Sequence, residues 1–240
     1  MSATTVFPRK ATKPAAGQSL PPLQTGDHLT RAEFERRYAA YPDIKKAELI
    51  EGVVYMPSPL GLPHGTVHAD IMGWLGVYRA NTPGVHLTDN TTVRLDLENE
   101  FQPDAVLYIA PNRGGQVEIE DNYLSGAPEL VVEVAVSSAA YDLHEKLRVY
   151  RRNGVREYLV LLAHEQETRW FQLVEGEYQQ LTPGEDSLLR SQVFPGLHFH
   201  PELFWADNLA GLHQVLQAGL ATPEHEAFVA RLQESAAEHE

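Results

Sequence analysis

The chain has no cysteine. That excludes disulfides, a thiol nucleophile, and zinc or iron–sulfur sites built on thiolates. Long apolar runs are missing as well: stretches such as Tyr158–Ala163 stop at about six residues, whereas a membrane helix needs roughly 20. The first ten residues hold no apolar core of the signal-peptide kind, so the expectation is a cytoplasmic protein with no membrane span. Bases are scarce, with 19 Lys and Arg against 33 Asp and Glu in 240 residues, a net charge of −14. Such a surface repels nucleic acid and anionic membranes at long range, so a polyanionic partner would have to be met by local bases or a metal ion. A hydrophobic content of 43% with 22% charged residues is enough for one full core and excludes wholesale disorder.

Residues 1–26 are rich in Pro, Ala, Thr and Gln, carry Arg9, Lys10 and Lys13 with no acid, and read as a disordered tail. Without those three charges residues 27–240 carry −17. Thr30-Arg-Ala-Glu33 is a capping box that opens a helix with Phe34 and Tyr38 on one face, ended by Pro42. Residues 47–56 read as a hairpin around Glu51-Gly52. Val67, Ile71, Leu75 and Tyr78 predict a helix over 64–80, closed by Pro83-Gly84. Strands follow at 91–97, 104–110 and 128–136, then a helix over 141–152 closed by Asn153-Gly154, and a buried strand at 155–163. A second hairpin turns at Glu175-Gly176, and helices over 208–220 and 224–237 end the chain. The fold class is mixed α/β, and the pass from 128 to 163 brings two apolar strands into one sheet through a helical crossover.

Apolar strands rarely place a carboxylate at an interior position, because an unpaired buried charge costs several kcal/mol or protonates. Two strands do so here: Asp104 stands where one begins and Glu133 lies inside another. Two acids on adjacent strands could share a divalent cation, and Mg²⁺ suits one or two carboxylates plus water and phosphate. A turn acid and an acid paired with an arginine fit the spacing equally well. Asp142, Lys146 and Tyr150 recur at i, i+4 and i+8 on the next helix, where Lys146 could orient an attacking water, or form an ordinary surface pair with Asp142. From Lys146 to Arg156 there are five bases and no acid, so Arg148, Arg151, Arg152 and Arg156 are candidates for phosphate contacts or a solvated face. His64 and His68 have the i, i+4 spacing of zinc proteases, but Gly65 stands where such a site carries its glutamate. His198, His200, His213, His225 and His239 show no tight ligand spacing.

Pro103-Asp104, Glu133-Val134-Ala135, Asp142, Lys146, Tyr150 and Gly154, with Glu48-Leu-Ile-Glu-Gly52, Met56-Pro-Ser-Pro59, His64 and Gly126-Ala-Pro128, resemble the Uma-type restriction endonuclease family. That family belongs to the PD-(D/E)XK nuclease superfamily, and the likeness covers about residues 30–182. It implies a restriction-endonuclease-like core with a central mixed β-sheet flanked by helices over 27–200, followed by a C-terminal helical extension over 201–240. It further implies Mg²⁺ or Mn²⁺ held by Asp104 and Glu133, with the carbonyl of Val134 as a further ligand and Glu48 as a supporting acid. His64 would lie at the site's edge. The superfamily's lysine normally follows the second acid by two residues, where this chain has Ala135; Lys146 is the substitute the family offers.

Two functions follow as expectations. One is a metal-dependent endonuclease that hydrolyses DNA through Asp104, Glu133 and Lys146, supported by His64, Asp142 and Tyr150, with Arg148, Arg151 and Arg152 on the nucleic acid. Superfamily behaviour would make it a homodimer. The other is a non-catalytic binding or scaffold protein that retains the nuclease fold, which the acidic body and the lack of a helix-turn-helix favour.

Overall fold

A computed structural model of the chain describes residues 20–57, 60–136 and 138–237. The expected tail lies outside these residues up to position 19. Of residues 20–26, Leu23 is buried, with Phe34, Leu49 and Val54 in a small core, while residues 21, 22 and 24–26 are exposed. Helix α1 spans Arg31–Ala40, and the Thr30 side chain accepts the Glu33 N–H as the capping box requires. The Glu33 carboxylate does not complete the box but accepts from Arg36 and Arg37, each at 2.7 Å.

Strands β1 (Glu48–Ile50) and β2 (Val53–Tyr55) form the first hairpin. Its turn needs positive φ at both central residues, which Glu51 (50°) and Gly52 (76°) adopt. Helix α2 (Leu62–Asn81) starts at Pro63 in its first turn and buries Ile71, Trp74, Leu75 and Tyr78. Short strands follow: β3 (Val85–Asp89), β4 (Val93–Arg94), β5 (Glu100–Phe101), β6 (Ala105–Ile109), β7 (Glu118–Glu120), β8 (Tyr123–Ser125) and β9 (Leu130–Ala135). The expected strand at 91–97 thus shrinks to two residues. The crossover helix is continuous but not uniform: α3 (Ala139–Tyr141) runs into a π-helical stretch, Asp142–Lys146, and then α4 (Leu147–Asn153). Gly154 closes it in the left-handed conformation, φ 86°. The chain ends with β10 (Glu157–Leu162), β11 (Glu167–Val174), β12 (Glu177–Gln180), β13 (Leu189–Arg190), β14 (His198–Phe199), α5 (Pro201–Trp205), α6 (Leu209–Leu220) and α7 (Pro223–Ala237).

Two mixed six-stranded sheets result, the larger being the expected central mixed sheet flanked by helices. The larger has the order β12-β11-β10-β9-β6-β3, and only β9 and β10 run parallel, joined by the crossover helix. The second, β2-β1-β5-β4-β8-β7, is built from strands of two or three residues. On one face of β9, Leu130, Val132 and Val134 pack against α2 and against Phe204, Leu212, Leu216, Phe228 and Leu232 of the C-terminal helices. The C-terminal segment is therefore part of the main core. On the other face Val131 and Ala135 pack with Val149, Tyr150 and Tyr158. Glu133 lies between them on that face, as the two-residue period of a strand demands. No helix among the described residues is long and apolar enough to cross a membrane.

Candidate active site

The register of β6 on β9 pairs Ala105 with Val132, so one step beyond the last rung Asp104 comes opposite Glu133. Directly opposed residues of an antiparallel pair point to the same face. Both acids are buried, at 3% and 4% exposure. Asp104 Oδ2 accepts the Val134 N–H at 2.7 Å and lies 3.2 Å from His64 Nε2, which the first turn of α2 carries over the sheet. Lys46 Nζ is 3.9 Å from Asp104 Oδ1. Burial by itself raises the Asp104 carboxyl, but His64, Lys46 and the Val134 N–H outweigh it and hold the group below its usual range. His68 contacts the Asp104 carbonyl oxygen at 3.0 Å and Asp89 Oδ1 at 3.2 Å, so it braces the loop from outside the cleft.

Glu133 Oε1 accepts from Lys146 Nζ at 2.8 Å and from the Tyr150 hydroxyl at 3.1 Å. The same ammonium lies 3.2 Å from Glu48 Oε2 and 3.6 Å from Asp142 Oδ1. The wide π turn between Asp142 and Lys146 aims both side chains at the cleft, a local departure that is common at functional sites. Glu48, at the start of β1, is fixed by the Gln102 N–H at 2.9 Å. Asp142 accepts from Ser138 Oγ at 2.6 Å. Tyr150 is wedged edge-on against Phe101, with ring centroids 5.1 Å apart. Ala135, where the superfamily has its lysine, is buried in the core beside Val149 and Tyr150, and the ammonium arrives from Lys146 instead.

Burial pushes the Glu133 carboxyl up to about 8; Lys146 opposes this, while Asp142, Asp104 and Glu48 add to it. Asp142 is raised for the same first reason, burial. Burial lowers Lys146, but Glu133, Glu48 and Asp142 outweigh it and hold the ammonium well above its ordinary value. Four carboxylates thus line one cleft of about 280 Å³ with two lysines, Lys46 and Lys146. Lys46 escapes sequence reasoning because Lys45-Lys46 reads as a solvated pair ahead of a strand. The usable signal is its two-residue offset from Glu48, which puts both on one side of an extended chain.

The donor set is all oxygen and suits a hard divalent cation. Both bonds to Glu133 fall on Oε1 and both close bonds to Asp104 fall on Oδ2, leaving Oε2 and Oδ1 as the oxygens with capacity for an ion. Among the described residues no group of three His, Asp or Glu side chains is set to hold a metal, so capture would rest on two carboxylates, the Val134 carbonyl and water.

The arginines are not brought to the cleft. Arg148 pairs with Glu51 at 3.4 Å, Arg152 with Glu51 at 3.1 Å and Asp96 at 3.8 Å, and Arg151 with Glu177. Arg156 contacts Gln116.

Comparison with known proteins agrees with this architecture. A solved structure from Anabaena variabilis, described as a putative nuclease, matches with a TM-score of 0.53 at 14% identity, over 67% of this chain and 89% of that one. No curated protein matches. The model of the Uma2 family, described as "Putative restriction endonuclease", matches residues 31–202. A match over that much of the chain means that this protein belongs to the Uma2 family, whose functional class is the nuclease.

Proposed function

We propose that the protein is a divalent-metal-dependent endonuclease that hydrolyses phosphodiester bonds of DNA. One observation carries the reading: Asp104 and Glu133 oppose each other in one cleft, and Lys146 Nζ stands 2.8 Å from Glu133. Asp104, Glu133 and the Val134 carbonyl, with Glu48 in support, would hold Mg²⁺ or Mn²⁺, which when bound polarises a phosphodiester and acidifies a water.

The remaining roles belong to the chain. Lys146 donates to Glu133 and Glu48 and lies 3.6 Å from Asp142, so its third donor, turned toward a water, would orient it and offset charge that develops on phosphate. Tyr150 positions Glu133, the Gln102 N–H positions Glu48, and His64 and the Val134 N–H position Asp104. Ser138 in turn orders Asp142. Arg148, Arg151 and Arg152 would meet phosphates only by exchanging Glu51, Asp96 and Glu177 for them. Each cleft cuts one strand, so scission of both strands would call for a homodimer.

A second reading, a non-catalytic binding protein on the same fold, is favoured by the acid-paired arginines and by an ammonium that already compensates the buried acids. Calorimetric titration with Mn²⁺ separates the two. Wild type should bind the ion and Asp104→Asn should not; a wild type that takes up no Mn²⁺ removes the catalytic reading.

A further inference from the structure

We infer that the cleft accepts an unpaired strand, so that the substrate is single-stranded DNA or an unpaired stretch within a duplex. This rests on the nuclease reading and names its substrate class. Three observations converge on it. The first is access: Asp104 and Glu133 are only 3% and 4% exposed, and the cleft that reaches them, partly open to solvent, has a volume of about 280 Å³. That is the scale of a small-ligand pocket, about 300 Å³ at the low end. An unpaired backbone can bend its phosphate into such a recess, whereas the backbone of a paired strand is held on the outside of its helix.

The second is the chemistry of the mouth. Tyr55, Met56, Leu60, Val136 and Tyr141 line it beside the carboxylates. Met56 and Leu60 remain 37% and 61% exposed, and Tyr55 meets Tyr141 edge-on at 4.4 Å. An apolar rim next to a charged floor has nothing to offer the phosphate ridges of a helix, but every unpaired base has a face to lay on it.

The third is charge. Duplex binding draws on many phosphate contacts from free Lys and Arg. Here the three arginines nearest in sequence to Lys146 are tied to Glu51, Asp96 and Glu177, and among the described residues the cleft lining holds Lys46, Lys146 and His64 as its basic side chains.

The test compares one sequence as a single strand, as a duplex, and as a duplex with a central unpaired bubble, each incubated with the full chain and Mn²⁺. The single strand and the bubble should be cut, and the intact duplex at least about ten times more slowly, the factor that one lost stacked base brings. Met56→Ser with Leu60→Ser, both at exposed positions, should raise KM for the single strand several-fold through lost apolar contact with the bases, with Mn²⁺ affinity unchanged. Duplex cleaved as fast as single strand overturns the inference and leaves the nuclease reading standing. If no DNA is cut, the nuclease reading fails, and binding decides the inference. Fluorescence anisotropy in Ca²⁺ should then show the labelled single strand held more tightly than the duplex; equal or weaker binding overturns it.

Discussion

Lys146 Nζ lies 2.8 Å from Glu133 Oε1 and 3.2 Å from Glu48 Oε2, one buried ammonium bridging acids from two different sheets. The bridge joins the strand pair that carries Glu133 to the hairpin that carries Glu48, with Asp142 as a third neighbour.

Lys146→Met removes the compensating charge and leaves buried acids without a partner. The expected loss of folding stability is about 3–5 kcal/mol by urea titration at neutral pH. The loss should shrink in mildly acidic buffer, where burial favours the protonated form of Asp142, and grow as pH rises through about 8, where Glu133 ionises. An unchanged urea midpoint at neutral pH would contradict this account.

Asp104→Asn and Glu133→Gln should each abolish Mn²⁺-dependent cleavage, by at least about a hundred-fold. Gln at 133 can still accept from Tyr150, so its circular dichroism spectrum should match wild type. Activity intact in both variants would take these residues out of the mechanism.

Glu51→Gln frees Arg148 and leaves Arg152, which now shares that carboxylate, with only its longer 3.8 Å pair to Asp96. Affinity for a short DNA strand at low salt should rise, and the plot of log affinity against log salt should steepen by up to about two contacts' worth. A slope identical to wild type would show that these guanidiniums do not face the nucleic acid.

Glu157 is fully buried and accepts from Ser191 Oγ at 2.8 Å and the Gln192 N–H at 2.7 Å. Burial pushes its carboxyl up to about 7 from 4.5, against the pull of those donors. The folded chain then keeps a proton that the unfolded chain has lost. Between those two values stability falls as pH rises, by at most about 1.4 kcal/mol per unit. Above that window this group causes no further loss. Glu157→Gln should flatten the decline in urea midpoints measured across the window; a decline of the same slope would assign it to other groups.

Much of the local structure was legible in the sequence, because it is set by neighbours. Thr30 caps α1, both Glu-Gly pairs take the positive φ that their hairpin turns demand, and Gly154 ends the crossover helix. The apolar runs that became β9 and β10 were equally clear, as were the acids that interrupt or precede such runs. The second sheet was not, since strands of two or three residues carry no usable period and exist only through partners far along the chain. The π turn was missed for a related reason: spacing arguments assume a uniform helix, and the inserted residue alters which side chains share a face.

The sequence by itself determined which chemistry was available: no thiols, two acids in apolar strands, one lysine on the helix that follows the second of them, and a family likeness across most of the core. Only the tertiary structure decided how those groups are spent. Strand register, a long-range property, sets Asp104 against Glu133, and a separation of 97 or more residues hides the fact that Glu51 claims two of the arginines. Charge composition counts ions, whereas function depends on which of them remain uncompensated after folding, and that is a matter of distance.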